Sequence, residues 1–137
     1  MIGILIISHE NLGDSFIRCA SHVMGGVPQQ IMHLNVSIQD NPDMLVSKAQ
    51  ELVNQLNCGN GVLVLNDICG ATPCNVASRL IKPGVVECLA GINLPMLVRA
   101  LTYRNELLST VVEKALNGGK EGVMHIHLES LQCNIKK

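Results

Sequence analysis

Ile2-Gly3-Ile4-Leu5-Ile6-Ile7-Ser8-His9 is an aliphatic run that ends on a histidine, and Gly61-Val62-Leu63-Val64-Leu65-Asn66-Asp67 is a second that ends on an aspartate. Both have the length and the β-branched, aliphatic content of strands buried on both faces, the pattern of a parallel sheet covered by helices. In open α/β sheets the chemistry lies beyond the carboxyl ends of the strands. A histidine and an aspartate delivered there by two different strands form one candidate site.

Outward from these runs, helical and extended patterns alternate. Leu12, Phe16, Ala20 and Val23 recur at helical spacing, and Gly25-Gly26 supplies a stop. Ile31-Met32-His33-Leu34 reads as a short second strand. Asn41-Pro42-Asp43 opens a helix with an amide cap, a proline in the first turn and an acid at the positive end. Leu45, Ala49, Leu52, Val53 and Leu56 give that helix one apolar face. Thr72-Pro73 repeats the cap-then-proline signal and predicts a helix through Val76, Ala77, Leu80 and Ile81. Residues 85–91 read as a fourth strand, and Pro95 opens a helix containing Leu97, Val98 and Leu101. Residues 105–117 predict a further helix, closed by Gly118-Gly119. Val123-Met124-His125-Ile126-His127-Leu128 alternates and predicts a final strand.

This alternation implies an α/β fold with a mainly parallel sheet. A flavodoxin-like, three-layer sandwich with strand order 2-1-3-4, adopted by analogy, sets strands one and three side by side where the winding reverses. His9 and Asp67 would then share a single crevice. A chain of 137 residues without repeat, low-complexity tract or linker reads as one domain over residues 1–137.

Composition narrows the partners. Hydrophobic residues make up 47% of the chain, yet Phe16 and Tyr103 are its only aromatic residues, so the core is aliphatic and single-stranded nucleic acid finds no stacking platform. Ten basic against eleven acidic residues leave a net charge of -1 and no global field for phosphate backbones or anionic lipid. The six cysteines (Cys19, Cys58, Cys69, Cys74, Cys88 and Cys133) include no Cys-x-x-Cys pair and read as free thiols of a cytoplasmic protein. No apolar stretch reaches the ~20 residues of a membrane span.

The residue types at the two strand ends suit nucleophilic chemistry. A carboxylate bonded to one imidazole nitrogen fixes the tautomer and stabilises positive charge developing on the ring, which leaves the other nitrogen as a positioned nucleophile. Ile68-Cys69-Gly70-Ala71-Thr72-Pro73 then leads into a predicted helix, whose free N–H groups favour an anion, with a hydroxyl from Thr72. Histidine, carboxylate and anion cradle together point to phosphoryl transfer through phosphohistidine. A solvated strand-end histidine and an aspartate that merely begins a turn are the plainer reading of the same residues. No nucleotide-binding glycine motif is present.

Over nearly its whole length the chain resembles the IIA domain of the mannose family of the bacterial phosphoenolpyruvate-dependent sugar phosphotransferase system. The resemblance is carried by the first strand ending in His9, by Val62-Leu63-Val64-Leu65-Asn66-Asp67, by Gly70-Ala71-Thr72-Pro73-Cys74-Asn75-Val76-Ala77-Ser78-Arg79, and by Ala90-Gly91-Ile92-Asn93-Leu94-Pro95-Met96-Leu97. It implies that His9 accepts a phosphoryl group from phospho-HPr and passes it to a separate IIB component. It further implies that Asp67 orients His9, that Gly70, Ala71 and Thr72 line the phosphoryl pocket, and that no cofactor or metal takes part. The last strand of such domains can be exchanged across a homodimer, here residues 123–128. Glu10 follows His9 where that family often has glycine, and Cys69, Ala71 and Thr72 stand where tryptophan, glycine and serine are common.

Related readings are a phosphoryl carrier for dihydroxyacetone kinase and a regulatory phosphotransferase-system domain that moves no sugar. A receiver phosphorylated on Asp67 would need an acidic cluster beside the first strand, where Glu10 alone offers little; a non-catalytic interaction domain remains compatible with the fold. His125 and His127 point to one face of the predicted last strand, but no third or fourth ligand stands at a metal-site spacing, which favours an edge or interface role. Cys69 and Cys74 flank the expected pocket, where small apolar packing is the plain reading.

Overall fold

The structure, a computed structural model, describes residues 1–128. Strands and helices alternate as β1 (Gly3–His9), α1 (Leu12–Met24), β2 (Ile31–Val36), α2 (Pro42–Leu56), β3 (Val62–Asn66), α3 (Thr72–Ser78), β4 (Val86–Ala90), α4 (Leu94–Tyr103) and α5 (Leu108–Glu121). The four strands are all parallel in the order β2-β1-β3-β4. This is the α/β, flavodoxin-like sandwich expected.

The period-2 geometry of β1 and β3 divides their side chains between two cores. Ile2, Ile4, Ile6, Leu63 and Leu65 pack under α1, α4 and α5. Leu5, Ile7, Val62 and Val64 pack under α2 and α3. Both central strands are therefore buried on each side, which explains their unbroken aliphatic sequence. The helix signals act locally: the Asn41 side chain accepts from the Asp43 N–H at 2.9 Å, and Asn93 accepts from Met96 N–H at 2.9 Å. Gly25 ends α1 in the left-handed conformation that glycine adopts without steric cost.

Opposite the strand ends that carry His9 and Asp67, Arg104 ties the fold together. It is 5% exposed. Its Nε and Nη2 donate to the carbonyl of Ile2, at 3.1 and 2.8 Å, while Nη1 donates to Gln29 and Nη2 also to Gln30. The Ile2 N–H returns a bond to the Arg104 carbonyl at 2.9 Å. One side chain thus joins the end of α4 to the entries of β1 and β2.

Several sequence expectations are corrected. β2 continues to Val36, two residues beyond the predicted end. In α3, Ala71 takes the cap position and Thr72 is already helical, because Gly70 at φ +87° turns the chain one residue earlier. α3 also stops at Ser78; the N–H groups of Arg79, Leu80 and Ile81 bond three residues back, and Pro83 pushes Lys82 away from helix.

Gly118 and Gly119 lie within α5 instead of closing it, and α5 begins at Leu108. A Cβ on Gly118 would come 2.8 Å from Cβ of Arg99, and one on Gly119 would come 2.8 Å from Cε of Met96. These glycines let α5 lie close against α4, so packing overrides their stop signal. Residues 123–127 form no strand and are exposed. Among the described residues no strand pairs outside β4, so the segment joins no sheet.

Candidate functional site

Parallel pairing of β1 with β3 places Ile7 opposite Asn66, and both chains leave the sheet together. His9 and Asp67, 58 residues apart in sequence, therefore meet at the carboxyl edge. Asp67 Oδ2 accepts from the His9 backbone N–H at 2.9 Å and lies 2.8 Å from its Nδ1. Oδ1 accepts from the Ile68 N–H at 2.9 Å. The carboxylate is thus held at both oxygens, and the ring cannot turn without leaving it.

Partial burial acts to raise the pKa of Asp67, but the His9 amide, the His9 ring and the Ile68 amide together outweigh it and hold the carboxyl below its ordinary value of 3.8. An ionised carboxylate only accepts, so in the neutral ring Nδ1 carries the shared proton and Nε2 keeps its lone pair. The His9 side chain is 48% exposed against 11% for Asp67. The arrangement offers an anchored, polarised imidazole with its second nitrogen open to an approaching electrophile.

Beside this pair the chain passes through Ile68 and Cys69 to Gly70, then through extended Ala71 into α3 at Thr72. A Cβ on Gly70 would meet nothing within 4 Å, so its backbone angle, and not crowding, calls for glycine. The neighbouring Cys74 thiol pushes the pKa of Cys69 above its ordinary value. Burial pushes the Cys88 thiol up to about 11, and its sulfur receives a bond from Asn66 Nδ2 at 3.3 Å. Cys19, Cys58, Cys69, Cys74 and Cys88 are all free, and Cys133 lies outside the described residues.

Supporting contacts escaped the sequence. Asn11 precedes α1 but does not cap it; its Oδ1 accepts from Asn35 Nδ2 at 3.1 Å. Buried Ser8 instead accepts from the Gly13 N–H at 2.8 Å. His33 gains partners that its sequence context did not suggest, with Nδ1 3.1 Å from Asn35 Oδ1 and Nε2 3.7 Å from Asp14 Oδ1. A serine inside an aliphatic strand, one turn before a helix glycine, is the only local signal for any of these. The His125 and His127 rings meet edge-on at 5.7 Å, and among the described residues no group of three metal-ligating side chains is assembled.

The sequence model of the EIIA-man family, described as PTS system fructose IIA component, matches residues 3–116. The PTS system mannose-specific EIIAB component of Escherichia coli (strain K12) is 30% identical over 125 residues, covering 89% of this chain. The chain spans only 38% of the length of that relative. The putative phosphotransferase enzyme IIA component YadI of the same strain is 26% identical over 80% of this chain and 75% of its own length. Among solved structures, the EIIA phosphotransferase component of Streptococcus agalactiae superposes with a TM-score of 0.80 at 27% identity, covering 91% of this chain and 97% of its own. The mannose/sorbose-specific IIA subunit of Enterococcus faecalis shares the fold, with a TM-score of 0.82 at 23% identity over 93% of this chain and 96% of its own.

Proposed function

The chain belongs to the EIIA-man family of sugar phosphotransferase-system IIA components, and from that premise we propose that it is a phosphoryl carrier whose acceptor atom is Nε2 of His9. The observation that supports this reading most directly is the 2.8 Å contact between Nδ1 and Asp67, with the opposite edge of the ring exposed.

In the proposed step the Nε2 lone pair attacks the phosphorus of phospho-HPr. The donor's P–N bond breaks, and its electron pair returns to the donor imidazole. Positive charge that builds on the His9 ring is shared through Nδ1–H with Asp67. Gly70, Ala71 and Thr72 line the side on which the phosphoryl oxygens come to rest. Transfer to a IIB component reverses the same sequence, with the IIB side chain as nucleophile. Positioning and fixed dipoles supply the stabilisation, as is general in phosphoryl transfer.

Incubation with phosphoenolpyruvate, enzyme I and HPr, read by intact mass, tests this. One added phosphate that is labile to acid and stable to base is expected. A hydroxylamine-sensitive phosphate would place the group on a carboxylate and overturn the assignment.

The proposal extends to a homodimer. Val123, Met124, Ile126 and Leu128 are exposed in a segment that joins no sheet among the described residues. Exchange of this segment onto the sheet edge of a second copy would cover those side chains and satisfy the backbone. Light scattering is expected to report a dimer for the full chain and a monomer after removal of residues 123–137. A truncated chain that stays dimeric would exclude the exchange.

No helix among the described residues is long and apolar enough to cross a membrane.

A further inference from the structure

We propose that Glu10 sets the transfer potential of His9: its carboxylate repels a phosphoryl group on Nε2 and poises the phosphorylated protein to release it. The inference rests on the carrier reading and adds to it a residue that tunes the equilibrium.

Backbone conformation comes first. Glu10 has φ +50°, and only one other non-glycine residue among those described, Gln30, has a positive φ. A side chain in the left-handed region is disfavoured, so the surroundings must impose it. The Glu10 N–H donates to the Val36 carbonyl at 3.0 Å. The next residue, Asn11, is held by Asn35, and the start of α1 is held by Ser8. Glu10 is thereby pinned between the end of β1 and the start of α1, with its Cα about 3.8 Å from that of His9.

Charge comes second. Glu10 is exposed, and no ion pair neutralises it among the described residues. Every arginine of the chain is committed elsewhere: Arg18 to Asp14 at 3.0 Å, Arg79 to Asp43 at 3.2 Å, Arg99 to Glu121 at 3.2 Å, and Arg104 to backbone carbonyls. Asp67, on the other side of His9, is a carboxylate whose two oxygens are already occupied. A phosphoryl group bearing about two negative charges therefore arrives beside two carboxylates, and among the described residues no cationic side chain is paired with Glu10. At an exposed site the resulting penalty corresponds to about a three- to tenfold shift in the transfer equilibrium, weakened by salt.

The test compares the wild type with Glu10→Gln, which removes the charge, and Glu10→Gly, which removes charge and backbone strain. Each protein is mixed with stoichiometric phospho-HPr, and the phosphorylated fraction at equilibrium is read by intact mass between about 20 mM and about 500 mM salt. Both variants are expected to favour phosphorylation about three- to tenfold more than the wild type at low salt, with the gap closing at high salt. Equal constants in three phosphorylated proteins would overturn the role of Glu10 while leaving the carrier reading intact. A shift in Glu10→Gly alone would assign the effect to strain and overturn the charge mechanism. No phosphate on any of the three would remove the carrier reading and this inference with it.

Discussion

His9→Ala will take up no phosphate from phospho-HPr, and Asp67→Ala will take it up about a hundred to a thousand times more slowly than the wild type. The two effects differ in kind. Alanine at position 9 deletes the proposed nucleophile, and no other described side chain occupies its place at the strand end. Alanine at position 67 leaves Nε2 present but frees the ring, because among the described residues only Asp67 Oδ2 accepts from Nδ1. The proton can then sit on either nitrogen, and charge building on the ring loses its counter-charge. Asp67→Asn separates these losses, since an amide oxygen can still accept from Nδ1–H without carrying charge; its rate is expected between the other two. Rapid-quench phosphorylation with saturating phospho-HPr measures the series. Unchanged kinetics in Asp67→Ala would refute the orienting role.

The same carboxyl predicts a pH signature in folding. Its pKa is held below 3.8 in the folded protein, so it contributes stability that is fully present above that value and lost as pH falls through the lower folded one. The difference in urea midpoint between the wild type and Asp67→Asn should narrow as pH drops below 3.8.

Arg104→Met will cost about 3–5 kcal/mol of stability and will not directly alter the phosphoryl site. The methylene stem is replaced by a side chain of similar length, so little packing volume is lost. The fork is not replaced. The carbonyls of Ile2 and Gln29 lose their guanidinium donors at once, that of Gln30 keeps only the Ile4 N–H, and the backbone bond from Ile2 to Arg104 is left as the tie between β1 and the end of α4. Burial lowers the pKa of the guanidinium, yet arginine stays charged in proteins, and here that charge is spread over three carbonyls in place of a carboxylate. Arg104→Lys should recover only part of the loss, because a single ammonium cannot span the same acceptors. Urea denaturation reads all three proteins; a loss below about 1 kcal/mol in Arg104→Met would show that the clamp is dispensable.

Legibility followed the range of the forces involved. Asn41-Pro42-Asp43 marked a helix start because its cap is satisfied by an N–H two residues away. Gly25 stopped α1 for a similarly local reason, whereas Gly118 and Gly119 carried the same stop signal and were overruled by Arg99 and Met96 on α4. Residues 123–128 had the alternation of a strand, but alternation describes faces and supplies no hydrogen-bonding partner. His33 and Ser8 looked unremarkable because their partners lie on other elements.

The sequence by itself determined the two aliphatic central strands, the helices between them and the polar residues placed at the strand ends, because burial and capping are decided within a few positions. Only the tertiary structure decided that Asp67 Oδ2 reaches both the amide and the ring of His9, that Glu10 is held at a positive φ beside them, and that Arg104 closes the opposite edge. Those three outcomes depend on strand register and on packing between distant segments, quantities that no local run of residues contains.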